Sequence, residues 1–221
     1  MKLYGVIGAG GFGKEVMPLA AHWLPIWDGV DHDSKLVFVV EDQYFKPNQQ
    51  VNGYRVMSMT EFLHAPASER RYNISIGNSA VRERIANSIP ADVAKPFSIV
   101  APNHVSLDEN TIGEGAIFCG FTTVTSNAKI GRFFHANLYS YVAHDCVIGD
   151  FVTFAPGVMC NGHVVIEDHA YIGTGAIIRD GTDKPIVIGR GAIVGMGAVV
   201  TKSVPPGVTV IGNPARPLTK D

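Results

Sequence analysis

Residues 112–148 read IGEGAIFCGFTTVTSNAKIGRFFHANLYSYVAHDCVI, and this stretch repeats with a period of six. The apolar positions continue at that spacing for twelve repeats: Ile112, Phe118, Val124, Ile130, Ala136, Val142, Ile148, Phe154, Cys160, Ile166, Ile172 and Ile178. At a bulk apolar frequency of 46%, such a run has a chance of roughly 10⁻⁴ in a given register. An α-helix would repeat every 3.6 residues and a hairpin sheet every two. A period of six predicts three short strands per coil, stacked as a triangular β-helix.

The positions around the apolar column predict how each coil is filled. Four residues after each large apolar residue the chain is mostly small. We expect the large side chain to fill the interior of the prism and the small one to lie where the walls converge. Glycine also recurs directly after the apolar position, at Gly113, Gly131, Gly149 and Gly173. Glycine and asparagine are expected to supply the corner conformations with positive φ.

The repeat loses its phase once. Ten residues rather than six separate Ile178 from Ile188, so residues 180–185 are predicted to bulge out as a loop. The period resumes at Val194 and Val200 and stops before a pair of prolines at 205–206. The sequence therefore predicts about five coils of the β-helix.

The first hundred residues lack this period and alternate strands with helices. Strands are predicted at Leu3–Ile7, Leu36–Val40, Tyr72–Ile76 and Phe97–Val100, with helices up to Trp23 and over Ser79–Ser88. The alternation is typical of a small parallel sheet of Rossmann type. We therefore predict an α/β Rossmann-like domain over residues 1–101, followed by a parallel β-helix domain with a short C-terminal tail over residues 102–221.

A glycine motif, Gly8-x-Gly10-x-x-Gly13, follows the first strand and opens a helix, as a dinucleotide-binding fingerprint does. Its glycines let a phosphate approach the backbone, and the N-terminus of the helix favours negative charge. The first hundred residues form only half of a full dinucleotide fold. A nucleotide-bearing substrate is therefore favoured over NAD, and a purely structural glycine turn is the remaining alternative.

Two further loops follow predicted strands, at the edge where ligands of parallel sheets collect. Glu41 and Asp42 end the second strand, where they either contact a ribose or base edge or are solvated charges. Gly77 and Asn78 follow the third strand. They either line a binding loop or cap the next helix, and both roles can hold together.

His144 is the histidine that the pattern singles out for chemistry. It lies two residues after the inward-facing Val142, so its side chain is expected to point outward from the coil, and Asp145 follows it. A neutral imidazole next to a carboxylate is suited to accept a proton from an amine or hydroxyl. Neighbouring residues of a strand face opposite ways, so the sequence alone does not establish their contact. A metal site shared between subunits is an alternative role for His135, His163 and His169. No ligand pattern supports it, and no metal is expected.

Composition argues against several other classes of protein. The formal net charge is −2 and only 17% of residues are charged, which gives no reason to expect nucleic acid or an anionic membrane as a partner. No apolar run is long enough to cross a bilayer, and the N-terminus begins as a strand rather than a signal peptide. Cys119, Cys146 and Cys160 form no CxxC pair, so a cytoplasmic protein without disulfides is expected. Cys146 and Cys160 are predicted to face the prism interior.

Four segments together resemble one bacterial family, the sialic-acid O-acetyltransferases and nucleotide-4-amino-sugar N-acetyltransferases. They are GAGGFGKEV at 8–16, IGN at 76–78, VAHDCVIGD at 142–150 and GNPAR at 212–216. The resemblance covers essentially the whole chain. It implies a left-handed β-helix, a homotrimer, and acetyl-CoA bound in the cleft between neighbouring β-helices.

The resemblance also implies roles for particular residues. His144 matches the family's general base, and Asp145 matches the acid that holds or polarises it. The positions that match nucleotide-sugar contacts are Gly10, Gly11, Phe12, Glu41, Asp42, Gly77 and Asn137. The positions that match the CoA groove are Thr153, Gly162, Thr174 and Met196, with the Gly162 N–H as an oxyanion donor. Many members carry histidine in place of Phe12 and some in place of Thr153, which puts those two contacts in doubt.

The function that follows is transfer of an acetyl group from acetyl-CoA to the amine of a nucleotide-linked 4-amino-4,6-dideoxy sugar. No cysteine or serine is placed as a nucleophile, so we expect direct transfer in a ternary complex. O-acetylation of a sugar such as sialic acid is the nearest alternative. A metal-dependent hydratase of carbonic-anhydrase type and a non-catalytic scaffold are the alternatives from other classes. The sequence does not distinguish UDP, GDP and dTDP as the carrier.

Overall fold

A computed structural model describes residues 1–27 and 35–219. The chain divides into two compact units, Met1–Val100 and Ala101–Asp221. The observed division falls one residue before the predicted boundary. Among the described residues, no helix is both long enough and apolar enough to cross a bilayer.

The N-terminal unit is a sheet with helices, as predicted. Its elements are β1 (Lys2–Ile7), α1 (Gly11–Trp27), β2 (Lys35–Val40), a 3-10 helix (Asp42–Tyr44), β3 (Gln50–Val51), β4 (Tyr54–Ser58), α2 (Met59–His64), β5 (Glu69–Ile74), α3 (Ser79–Ser88), β6 (Lys95–Pro96) and β7 (Ile99–Val100). The strand order is β3-β4-β2-β1-β5-β6, parallel except between β3 and β4. The chain thus winds to both sides of β1, which is the arrangement that creates a ligand crevice at the carboxyl ends of the strands.

Three predicted elements of this unit were wrong in their bounds. Helix α1 runs past Trp23 to Trp27, because its buried face continues through Leu24. Strand β5 ends at Ile74 rather than Ile76, where the chain turns into the loop that leads to α3. Of the predicted strand Phe97–Val100 only Ile99–Val100 is a strand, β7, and a second short strand, β6, precedes the predicted range at Lys95–Pro96.

The C-terminal unit is a left-handed parallel β-helix. This confirms the β-helix that the six-residue period predicts and the left hand that the family resemblance implies. Its strands are β8 (Val105–Ser106), β9 (Thr111–Ile112), β10 (Ile117–Phe118), β11 (Thr123–Val124), β12 (Lys129–Ile130), β13 (His135–Ala136), β14 (Tyr141–Val142), β15 (Val147–Ile148), β16 (Thr153–Phe154), β17 (Met159–Cys160), β18 (Val164–Ile166), β19 (Tyr171–Ile172), β20 (Ile177–Ile178), β21 (Ile186–Ile188), β22 (Ile193–Val194), β23 (Val199–Val200), β24 (Thr209–Ile211) and β25 (Arg216–Pro217). Strand β25 closes the unit by pairing antiparallel with β24.

Three walls form the prism. The first wall runs β10-β13-β16-β19-β22-β24, the second β8-β11-β14-β17-β20-β23 and the third β9-β12-β15-β18-β21. Neighbouring strands of a wall pair 18 residues apart over most of the length, as in Tyr141 with Met159. The predicted inward column is buried from Phe118 onward, and Cys146 and Cys160 are also fully buried, as expected.

The corners use a left-handed backbone conformation, but not at the glycines that the sequence singled out. Positive φ recurs every six residues at Glu109, Gly115, Phe121, Asn127, Phe133, Tyr139, Asp145, Phe151, Gly157, His163, His169 and Gly175. Gly113, Gly131, Gly149 and Gly173 are absent from this set, so the expectation for them was wrong. They are required by close approach instead: a Cβ on Gly131 would lie 2.6 Å from the Gly149 carbonyl carbon in the next coil.

The predicted loop after Ile178 is present. Three residues separate the strands at the equivalent corner one coil earlier, between Cys160 and Val164, whereas seven separate Ile178 from Ile186. Strand pairing continues on both sides of the loop, with Ile177 opposite Val199 and Val165 opposite Val187. The four extra residues therefore bulge outward without shifting the register of either wall.

Replacing Gly131 by alanine tests the close-approach role. The new Cβ would meet backbone atoms of the next coil, so we expect Gly131→Ala to lower the free energy of unfolding by about 2–3 kcal/mol. Gly175→Ala is the matched control, because Gly175 has open space around it and only its positive φ opposes a side chain; the expected loss there is about 1 kcal/mol. Denaturant unfolding at one protein concentration measures both, and a loss at Gly131 no larger than at Gly175 would contradict this role.

Candidate functional site

The corner between β14 and β15 brings His144 and Asp145 into contact. Asp145 has φ +56°, so the alternation of side chains that holds within a strand is broken there. Its Oδ2 lies 2.8 Å from His144 Nδ1. Both side chains remain about half exposed, at 50% and 44%. Because a carboxylate only accepts hydrogen bonds, this contact requires a proton on Nδ1 and leaves Nε2 of the neutral ring as the basic nitrogen.

The next coil places Gly162 and His163 directly beside this pair. The His163 N–H donates to the His144 carbonyl at 3.1 Å, which fixes the stacking of the two corners. The two imidazole rings meet edge to face with centroids 5.0 Å apart, and His163 Nε2 lies 3.6 Å from Asp145 Oδ2. A Cβ on Gly162 would come within 2.7 Å of His144 Nε2. Glycine is therefore what makes room for the His144 ring.

The coil after that contributes Asp180 from the start of the inserted loop. Hydrogen bonds from the Thr182 hydroxyl and the Thr182 N–H hold the pKa of Asp180 below its usual value, so its carboxylate is anionic. Asp180 Oδ1 lies 3.8 Å from His163 Nδ1. Two imidazoles and two carboxylates thus alternate along this edge of the prism.

Asn161 fixes the backbone that leads into Gly162. Its amide donates to the Ile178 carbonyl at 2.7 Å, and its Oδ1 accepts from the Tyr141 hydroxyl at 2.8 Å. Burial raises the pKa of Tyr141, so the phenol stays protonated and remains a donor. Among the described residues no acceptor is found for the buried Gly162 N–H, which leaves it free to donate to a ligand.

One group of side chains in the described part of the chain has the spacing of a metal site. It consists of His144, His163 and Asp180, whose ligand atoms lie within 4.8 Å of one another. His135 and His169, which the sequence grouped with His163, are not part of it: His135 is buried and His169 stacks on Phe151. The same three side chains equally suit proton transfer.

The remaining β-helix residues that the sequence predicted for the site lie elsewhere on the prism. The edge between the second and third walls, which carries His144, Gly162 and Asp180 in successive coils, is called here the His144 edge. Thr174 and Met196 lie in successive coils on the edge between the first and second walls, called here the Met196 edge. Asn137 lies beside the same edge, and Thr153 is on the first wall that leads to it. The two edges are separated by a wall roughly 15–20 Å wide.

In the N-terminal unit, the structure gathers the predicted contacts at the carboxyl ends of β1, β2 and β5. Gly10 and Gly11 have open space where a Cβ would be, whereas a Cβ on Gly13 would meet the Gly8 carbonyl oxygen. Gly13 is therefore needed for the turn, and Gly10 and Gly11 leave backbone accessible at the start of α1. Phe12 is in the first turn of α1.

The acidic pair at the end of β2 is engaged by protein groups. Glu41 forms an ion pair with Arg84 at 2.9 Å. Asp42 accepts from the N–H and hydroxyl of Thr60 at the start of α2, and the hydrogen bond from the Thr60 backbone is the main reason that the pKa of Asp42 is lowered. Asp42 therefore has a structural role that the sequence did not show.

The glycine loop after β5 is held from within the protein. Asn78 caps α3 by accepting from the Val81 N–H at 3.0 Å, as one sequence reading expected. Arg82 donates to the carbonyl oxygens of Ile76 and Gly77, and burial lowers the pKa of Arg82 to about 9. A Cβ on Gly77 would meet nothing within 4 Å, so this loop presents open backbone at the same edge of the sheet.

Sequence reasoning missed His163, Asp180 and Asn161 as parts of the His144 edge. A usable signal existed, because a shift of 18 residues from His144 and Asp145 leads to Gly162 and His163. As a whole, the edge offers an oriented imidazole base, a free N–H beside it and anionic groups behind it. That set can remove a proton from a nucleophile and stabilise a developing oxyanion.

Comparison with known proteins finds acetyltransferases that are similar to this chain. The family model described as the PglD N-terminal domain matches residues 5–89. A GDP-perosamine N-acetyltransferase of Escherichia coli O157:H7 is 51% identical over 221 residues, covering 100% of this chain and 98% of that protein. WeeI from Acinetobacter baumannii AYE superimposes with a TM-score of 0.92 at 55% identity, over 99% of this chain and 100% of that one. The acetyltransferase domain of PglB from Neisseria gonorrhoeae FA1090, in complex with acetyl coenzyme A, gives 0.84 at 31% identity, over 98% of each chain.

The contact between His144 and Asp145 predicts the tautomer of the neutral His144 ring. Nitrogen-15 NMR of the imidazole should show the proton on Nδ1 in the wild type. In Asp145→Ala the acceptor is lost, and we expect the proton to move mainly to Nε2. Asp108→Ala, at the same edge two coils earlier, is the matched control and should leave the wild-type tautomer. A ring that keeps its Nδ1 proton in Asp145→Ala would show that another group orients it.

Proposed function

This chain belongs to the bacterial family of sialic-acid O-acetyltransferases and nucleotide-4-amino-sugar N-acetyltransferases, and we propose that it acetylates the amine of a nucleotide-linked 4-amino-4,6-dideoxy sugar. It is an acyltransferase that uses acetyl-CoA as co-substrate. GDP-perosamine is the first acceptor to consider, because the relative that matches the whole chain is named for it. Since acetyl-CoA is a cytoplasmic metabolite, we propose that the reaction takes place in the cytoplasm.

The observation that carries the proposed mechanism is the 2.8 Å contact between Asp145 and His144 Nδ1. This contact leaves His144 Nε2 as the nitrogen that can accept a proton, and it keeps the ring in one orientation next to Gly162. In the proposed reaction, the neutral amine attacks the thioester carbonyl carbon while His144 Nε2 accepts a proton from the nitrogen. A positioned base of this kind contributes about 10²–10⁴-fold to the rate.

The proposed bond changes balance within a ternary complex. The new C–N bond forms as the carbonyl becomes a tetrahedral oxyanion, and the Gly162 N–H donates to that oxygen. Collapse of the intermediate breaks the C–S bond, and the CoA thiolate leaves and takes the proton back from His144. The cysteines of the chain, Cys119, Cys146 and Cys160, are all buried, which argues against an acyl-cysteine intermediate.

For the nucleotide we propose the carboxyl edge of the N-terminal sheet. Gly10 and Gly11 offer backbone N–H groups at the start of α1, where a diphosphate is favoured by the helix N-terminus. Phe12, Glu41 and Gly77 surround this edge. Glu41 forms an ion pair with Arg84, whereas the Asp42 carboxylate is already bonded to Thr60. We therefore propose that Glu41 and Arg84 contact the nucleotide and that Asp42 holds the loop in place.

A homotrimer is proposed because the acetyl-CoA site needs both edges of the prism. The predicted CoA contacts Thr153, Thr174 and Met196 lie on or beside the Met196 edge, whereas Gly162 lies on the His144 edge. One chain holds these edges apart, so a second copy has to present its Met196 edge to complete the site. The 81% exposure of the Met196 side chain supports such a contact. Asn137, beside the same edge, would then reach the sugar from the neighbouring copy.

Two alternatives would use the same residues of the His144 edge. O-acetylation of a sugar hydroxyl would use the same base, and it differs in the acceptor. A metal-dependent hydratase is favoured by the spacing of His144, His163 and Asp180. Metal analysis of the purified protein tests the hydratase, because that activity requires stoichiometric zinc, iron or cobalt.

Substitution of His144 tests the base. We expect His144→Gln to lower kcat by about 10²–10⁴-fold while the KM for acetyl-CoA changes little, because the ring acts on the proton rather than on the cofactor. His64→Gln, at an exposed position at the end of α2, is the control and should keep wild-type turnover. CoA-thiol release measures both variants. Near-normal kcat in a folded, CoA-binding His144→Gln would rule out this mechanism.

The acceptor is tested with a panel of nucleotide sugars. CoA-thiol release should be supported by 4-amino-4,6-dideoxy sugars, with GDP-perosamine the best of GDP, UDP and dTDP derivatives. The corresponding 4-hydroxy sugars and sialic acid should support at most about 1% of that rate, because a hydroxyl is a weaker nucleophile than an amine and depends more on proton removal by the base. Faster acetylation of sialic acid than of any amino sugar would establish the O-acetyltransferase alternative.

A further inference from the structure

The inserted loop forms one wall of a cavity on the surface of the β-helix. Arg179 precedes the loop, Lys184 and Pro185 end it, and Ile186 begins β21. The opposite wall is the next corner, residues 201–203, which has the ordinary length of three. The space between the two walls is about 660 Å³. It exists because the longer corner projects beyond the shorter one that follows it.

The polar groups that line this cavity are cations and hydroxyls. Arg179, Lys184 and Lys202 are all exposed, and none of the ion pairs formed within the described ranges involves them. The hydroxyls are those of Thr201 and Ser203. Ser203 Oγ already accepts from the Val187 N–H at 3.0 Å, which leaves its proton to be donated outward. Three unpaired cations with hydroxyl donors are suited to a polyanion such as a phosphate or diphosphate.

The cavity lies on the His144 edge, further along the prism axis. Strand pairing stacks residue 162 on 144, 180 on 162 and 202 on 180. Adjacent coils are about 4.8 Å apart, so Lys202 is roughly 14 Å from His144 along the axis. The pantetheine arm of CoA has roughly thirteen bonds between its sulfur and the first phosphorus, which is about 15 Å when extended. A thioester at His144 therefore reaches the cavity with its phosphates.

The charges on the His144 edge also favour one direction for the pantetheine arm along the prism axis. Two coils from His144 towards the N-terminus, the same corner carries Asp108 and Glu109. Towards the C-terminus it carries Arg179, Lys184 and Lys202. The loop on that path also carries two carboxylates, Asp180 and Asp183. Thr182 and His163 already engage Asp180, so the three cations outnumber the carboxylates there. A negatively charged tail is repelled at the first end and attracted at the second.

We propose that the cavity formed by Arg179, Lys184 and residues 201–203 binds the phosphate groups of the acyl-CoA donor. This assignment rests on the proposed function, and it gives the four inserted residues a role in recognition of the donor. The loop supplies Lys184 and the wall of the cavity, and the regular coils supply Arg179 and Lys202. The nucleotide sugar, which also carries a diphosphate, binds elsewhere.

The test compares truncated donors with truncated side chains. Calorimetric titration with CoA should give a Kd about tenfold higher for Arg179→Ala and for Lys202→Ala than for the wild type. Lys129→Ala, an exposed lysine on the third wall, is the matched control and should stay within about twofold, because it contacts no donor group. With acetyl-pantetheine as donor, kcat/KM should be the same in all four proteins because this donor has no phosphate. The loss with CoA should also shrink as salt is raised.

The outcomes separate this proposal from the proposed function. With 3′-dephospho-CoA, disappearance of the tenfold effect assigns the cavity to the 3′-phosphate and its persistence to the diphosphate; either result supports the proposal. Unchanged CoA affinity in both variants, with normal wild-type turnover, overturns the cavity and leaves the acetyltransferase intact. A rise in the KM of the nucleotide sugar instead of acetyl-CoA also overturns it. Specific CoA binding without transfer to any amino sugar would uphold the cavity and remove the proposed acceptor.

Discussion

The left-handed backbone conformation at every sixth residue is the constraint on which this molecule depends. It turns the chain by one prism corner, and after each corner the apolar residue faces inward again. Because the corners recur every six residues, strands stack 18 residues apart and close their hydrogen bonds coil upon coil. The same conformation breaks the strict alternation of side chains. Asp145 and His144 can therefore meet at 2.8 Å although they are neighbours in sequence.

Side chains at these corners oppose the conformation that holds them. An L-residue in the left-handed region costs about 1–2 kcal/mol relative to glycine, and both Asp145 and His163 are in it. Backbone hydrogen bonds to the preceding coil, from Asp145 to Ser126 and from His163 to His144, hold them there at 3.1 Å. Gly157 and Gly175 occupy the same position on the Met196 edge without that cost. Phe121 and Tyr139 on that edge carry the cost as well, so strain is general to the corners, and at Asp145 and His163 it brings a carboxylate and an imidazole together.

The period of the sequence was sufficient for the fold of the C-terminal unit, because burial of every sixth residue is a property of the chain alone. His144 and Asp145 followed from the same register together with family resemblance. The contribution of His163 was missed because the 18-residue stacking of the coils was not applied to His144 and Asp145. The contribution of Asp180 could not be predicted in this way, since it lies in a loop with no period. The structural role of Asp42 was also not predicted. Asp42 bonds to Thr60 at the start of α2, and the sequence analysis did not predict that helix. The recurring glycines were identified but misread, because their need arises from the backbone of the next coil.

Where an insertion falls on a β-helix determines whether it harms the fold or adds to its chemistry. Four residues within a wall would shift the inward column out of register and place polar side chains in the prism. At the corner after Ile178 the same four residues leave the pairing of β20 with β23 and of β18 with β21 unchanged. The buried column then carries stability while the edge is free to lengthen. Since the His144 edge also carries the imidazole and carboxylate groups, an extension there lies beside the proposed active site and leaves the core undisturbed.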